Sequence, residues 1–73
     1  MNDFKQLLKE ETKNNLIEAL KAVKDGKKSD AKILFNAALE DDRLLEKIQG
    51  ANYQVDELTS LMFDECERKL LDK

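Results

Sequence analysis

The chain has no histidine, proline or tryptophan, and it has one cysteine, two glycines, three phenylalanines and one tyrosine in 73 residues. Each shortage removes a class of protein. Without histidine, the commonest metal ligand and the side chain that titrates near neutrality are missing. One cysteine excludes an internal disulfide. Glycines confined to positions 26 and 50 leave no glycine-rich loop to cradle a phosphate. Catalysis is left with carboxylates and lysines, placed where helix surfaces put them. The sequence therefore reads as a non-enzyme with no cofactor, no metal site and no catalytic residue. No stretch approaches the roughly 20 apolar residues of a membrane span, and the apolar core of a signal peptide is absent. The expected address is cytoplasmic, with no membrane partner.

What is present is charge. Asp, Glu, Lys and Arg make up 40% of the chain, with a net charge of -3. Both signs are interspersed, which describes a solvated helical surface and not a nucleic-acid footprint. Residues 1–37 hold eight Lys against six Asp or Glu, for +2, whereas residues 38–73 hold five Lys or Arg against ten Asp or Glu, for -5. Head-to-tail attraction between two copies is one consequence to test. A chain of this length forms a single domain, 1–73, and buries a limited share of its surface. With disulfide and metal excluded, self-association is the expected source of extra stability.

The two glycines punctuate the chain into three segments. Glycine just past a helix supplies the left-handed C-cap, and Lys21, Lys24 and Lys47 before the two glycines suit helix C-termini. The expected fold is all-α, a small bundle of three main helices at about 3–25, 29–49 and 52–71. In the first, Phe4, Leu7 and Leu8 form one apolar patch, and Leu16, Ile17, Leu20 and Val23 a second. Asn2 or Asp3 is the expected N-cap. The polar gap Lys9–Asn15 allows either a kink or a new cap at Asn14 or Asn15. Thr12 lies on the line from Leu8 to Leu16, so a single helix is preferred.

The second segment is the most apolar. Ala31, Leu34, Phe35, Ala38 and Leu39 recur at i, i+3, i+4, i+7 and i+8. Ile33 and Ala37 widen that face, so this helix is expected to be buried on more than one side, with its neighbours packed against it. Ser29 is its expected N-cap. The cluster Glu40-Asp41-Asp42 offers a break, a fresh cap or a weak cation site, yet the apolar spacing continues through it to Ile48. The third segment opens at Asn52 as N-cap. Val55, Leu58, Met62, Cys66 and Leu70 form its stripe, and Asp64 with Arg68 and Glu65 with Lys69 are i,i+4 pairs. Leu61, Phe63 and Leu71 lie beside the stripe. Cys66, on the stripe, reads as a buried structural thiol. Lys24, Lys27, Lys28 and Lys32 read as a solvated turn, and Tyr53 and Phe63 as either core or partner contacts.

Apolar content spread over more than one face per helix exceeds what a three-helix bundle needs. A homodimer or larger assembly is therefore expected, with Phe63, Leu70 and Leu71 as the candidate interface.

Leu16-Ile17-Glu18-Ala19-Leu20-Lys21, a turn containing Gly26, and Ser29-Asp30-Ala31-Lys32 leading into Leu34-Phe35-Asn36-Ala37-Ala38-Leu39 resemble the small prohead core proteins of large contractile-tailed bacteriophages. About a third of the chain carries the resemblance. It implies an internal scaffold component of the immature capsid, cleaved by a prohead protease after an apolar-x-Glu triplet. Such triplets end here at Glu10, Glu18, Glu40 and Glu46. The location is then the host cytoplasm or the virion interior. The alternative, from a different class, is a small helical regulator or inhibitor that binds a host enzyme or RNA as a dimer.

Overall fold

The computed structural model describes residues 3–71 and is helical, with α1 at Asp3–Lys24, α2 at Lys28–Gln49, a single 3-10 turn at Gly50–Asn52, and α3 at Glu57–Leu71. The expected small bundle of three helices is the fold observed. α1 and α2 are each unbroken over 22 residues. In α1 the polar gap is bridged by Thr12, which is buried and donates its hydroxyl to the Leu8 carbonyl at 2.8 Å. That bond to the carbonyl one turn back satisfies a polar atom on an otherwise apolar line. The expected caps at Asn2 or Asp3 fall outside the described side chains.

The turn between α1 and α2 is built by Gly26. Its φ of +79° is the left-handed conformation that costs a residue with a Cβ. Around it Lys27 N–H bonds the Ala22 carbonyl at 2.8 Å, and Gly26 N–H bonds the Val23 carbonyl at 3.0 Å. This pair is the Schellman arrangement. It hands the chain directly to α2, because Lys27 is already the N-cap residue, its carbonyl accepting from Ala31 N–H. Ser29 thus lies inside the first turn of α2 and is not its cap. The tight turn leaves no room for the longer loop that a cap at Ser29 needs.

α3 starts five residues later than expected. Gly50 adopts φ +65° and ψ -139°, a region open essentially to glycine alone. The chain then makes one short turn and runs on without regular structure from Tyr53 to Asp56. Asp56 takes the place expected for Asn52 as N-cap, with Ser60 N–H bonded to its carbonyl at 3.0 Å.

The molecule measures 39 × 19 × 17 Å. α1, not α2, is the shared helix: α2 packs along it as a hairpin, and α3 lies chiefly against α1, with a lighter contact to α2. Among the described residues, α1 buries Leu8, Thr12, Leu16 and Ala19, α2 buries Ala31, Ala38 and Leu45, and α3 buries Thr59, Cys66 and Leu70. Ala19, Ala31 and Ala38 are fully buried, and their small side chains let the helices approach closely while Leu16 fills the centre. α2 is the most apolar helix by sequence, yet one of its strongest apolar residues, Ile33, is 67% exposed. A face can be apolar without having an intrachain partner.

Candidate interaction surface

Among the described residues, no group of three or more His, Cys, Asp or Glu side chains is placed to hold a metal ion. No described helix is long and apolar enough to cross a membrane. The distinctive surface feature is apolar. Phe4, Leu7, Ile17, Ile33, Leu44, Ile48, Val55, Leu58, Leu61 and Leu71 are all exposed.

The residues expected to form an interface divide three ways. Leu70 is buried in the intrachain core with Leu16, Ala19 and Cys66. Phe63 is half-buried, edge-on to Phe35 with ring centroids 6.0 Å apart, and so joins α3 to α2. Leu71 is exposed. Cys66 is buried, with Sγ 3.7 Å from the Leu16 carbonyl. Burial, and then the Glu65 carboxylate, push its thiol above the ordinary cysteine range, which disfavours the reactive thiolate.

Glu10, Glu18, Glu40 and Glu46 are exposed, but all lie inside α1 or α2. The apolar residues two positions before the first three, Leu8, Leu16 and Ala38, are buried. Leu44, before Glu46, is exposed and lies near the end of α2. A protease that reads an extended peptide therefore reaches Glu46 with the least local unfolding.

Two clefts lie against α1. The first, of about 270 Å³, lies between α1 and the 53–56 linker, where Lys9, Thr12, Tyr53, Asp56 and Thr59 line it. Lys13 Nζ lies 3.3 Å from the Asp56 carboxylate. The Thr59 hydroxyl and Lys13 hold the Asp56 carboxyl below the usual range. That hydroxyl is buried and lacks a hydrogen bond of ordinary geometry. Tyr53 donates its hydroxyl to Asp42, and burial together with that carboxylate raises its phenol well above the ordinary value.

The second cleft lies between α1 and α2. Phe4, Leu7, Leu8, Glu10, Glu11, Asn14 and Leu44 line it, with no α3 residue among them. Beside it Asp41 accepts a hydrogen bond from the Asn15 amide at 3.3 Å. The Asp41 carboxyl is pushed up to about 6, first by burial, then by its hydrogen bond to Glu11 and the charges of Glu11 and Glu40; Asn15 opposes the rise. The Glu11 carboxylate beside it disfavours a second negative charge at Asp41.

On α3, Glu65 pairs with Lys69 at 3.5 Å, as the spacing predicts, whereas Arg68 turns to Glu65 instead of Asp64. Sequence spacing did not reveal the Glu11–Asp41 contact, because it joins two helices whose register depends on the Gly26 turn.

Comparison of the chain with protein-family models, with curated proteins and with solved structures finds no match.

Proposed function

We propose that this chain is a non-enzymatic protein–protein interaction protein, in the specific form of a prohead core or scaffold component acting in the host cytoplasm or virion interior. The observation that carries the reading is the set of large apolar side chains left exposed on all three helices. Single exposed leucines are ordinary, but apolar side chains grouped on a helix face are typical of partner sites. The resemblance to prohead core proteins supplies the kind of assembly.

Co-expression with the capsid proteins and prohead protease of a contractile-tailed phage tests the role. The chain is expected to enter the particles and to be cut after one of the four glutamates, with Glu46 the most accessible. A one-to-one complex with a single host enzyme or RNA, with no entry into particles, moves the chain to the class of small regulators.

A further inference from the structure

We propose that a second copy of this chain docks antiparallel along the outer stripe of α2, on the side of the α1–α2 hairpin that α3 leaves open. The stripe consists of Ile33, Ala37, Leu44 and Ile48, with Asp41 in line at its centre. The residues recur at steps of four, four, three and four, so they form one continuous helix face. It is a different face from the core line Ala31, Ala38 and Leu45, lying roughly a third of a turn around the helix. Ile33 is 67% exposed, and Leu44 and Ile48 are each 40% exposed. Phe4 and Leu7 of α1, at 58% and 62%, extend the apolar surface beside Leu44 across the cleft.

Two observations name the occupant. The first is register. Ile33 and Ile48 are equidistant from the midpoint between residues 40 and 41, and so are Ala37 and Leu44. A two-fold axis at that midpoint sets Ile33 against Ile48 of the second copy. It also sets the small Ala37 against the larger Leu44. A self-complementary patch of this kind is what an isologous interface requires. The second is charge. The turn end of the hairpin, residues 21–32, carries five lysines against two aspartates, for +3. At the opposite end, residues 3–11 carry three acidic and two basic side chains. Residues 43–57 carry three acidic and two basic, so the two stretches together amount to -2. Antiparallel pairing places each positive end beside a negative one, and parallel pairing sets like against like.

The axis has a cost that makes the pairing pH-sensitive. Asp41 and Glu40 approach the same two residues of the second copy there. Asp41 already faces Glu11 of α1 and Glu40 of its own helix, with the Asn15 amide as its hydrogen-bond donor. Protonation of Asp41 removes the like charge at the axis, so association tightens as pH falls through about 6.

This inference rests on the reading of the chain as an interaction protein and names its partner as itself. A strictly monomeric chain that still enters capsid particles overturns the pairing and leaves that reading standing. The test is sedimentation equilibrium of the full chain at pH 5 and pH 8, with circular dichroism to confirm folding. Wild type is expected to dimerise, more tightly at pH 5, and Asp41→Asn to flatten that difference. Leu44→Glu is expected to weaken association roughly tenfold or more, and the control Leu61→Glu on α3 to leave it unchanged. Where Leu44→Glu fails to fold, the more exposed Ile33→Glu replaces it. A wild type monomeric at high micromolar concentration at both pH values overturns the proposal. So does a dimer broken by Leu61→Glu and not by Leu44→Glu or Ile33→Glu.

Discussion

Leu16 and Thr12 are both buried and lie one turn apart on α1, yet they answer to different physics. Leu16 fills the junction of three helices, so Leu16→Ala loses apolar burial and leaves a cavity. The expected loss is about 2–5 kcal/mol by chemical denaturation, a large part of the stability of so short a chain. Thr12 bonds only to its own helix, at the Leu8 carbonyl. Thr12→Val keeps the shape and strands no other side chain, so a change within about 1 kcal/mol is expected. Asp41 is the residue whose charge works against the fold. Its pKa is raised from 3.8 to about 6, so the native chain binds that proton more tightly than the unfolded one. Stability due to this group is highest below about 4, falls as pH rises to about 6, and is level above that. Asp41→Asn is expected to raise stability at pH 7 by about 1 kcal/mol, since solvent screens the charges around this partly exposed carboxyl. Urea denaturation at pH 4.5 and pH 7.5 checks it, since the variant lacks the portion of the pH slope that belongs to Asp41.

At the level of the elements, the glycines carry the punctuation. A Cβ added at Gly26 or Gly50 meets nothing within 4 Å, so substitution there costs backbone strain alone. Gly26 sits where other residues are tolerated at about 1–2 kcal/mol. Gly50, at φ +65° and ψ -139°, occupies a region nearly closed to them. Gly50→Ala is therefore expected to lower the melting temperature more than Gly26→Ala; equal shifts contradict this. Asp56→Ala removes a carboxylate from the N-terminus of α3 and from its pair with Lys13, and is expected to cost up to about 1 kcal/mol by urea denaturation. Both helix-ending glycines were legible in the sequence, because the alternatives to glycine past a helix are few. The start of α3 was not. Asn52 and Asp56 are both good caps, and the choice between them depends on the backbone that Gly50 imposes on the next six residues.

For the whole molecule, apolar periodicity identified which faces avoid water but not which faces meet. Ala31, Leu34, Phe35 and Ala38 turn inward as the spacing implies, with Ala31 and Ala38 fully buried. Ile33 lies among them in sequence and turns outward. α1 became the shared helix because Thr12 joins its two apolar patches into one line, while the surplus of α2 stayed exposed. Leu70 was absorbed by the intrachain core, while α3 leaves Leu58, Leu61 and Leu71 exposed. The outer stripe of α2 leaves Ile33, Leu44 and Ile48 exposed, and the central proposal is that a second copy covers it antiparallel.

Pulsed electron spin resonance tests that claim most directly. Single nitroxide labels are placed at Ser29→Cys or Glu40→Cys, both exposed positions, in a Cys66→Ala background that still folds. Antiparallel pairing about the midpoint of residues 40 and 41 brings the two labels at 40 close together. At 1.5 Å rise per residue it separates those at 29 by about 35 Å along the axis. Similar, short distances from both positions mean parallel pairing and contradict the account, as does the absence of any intermolecular distance at pH 5.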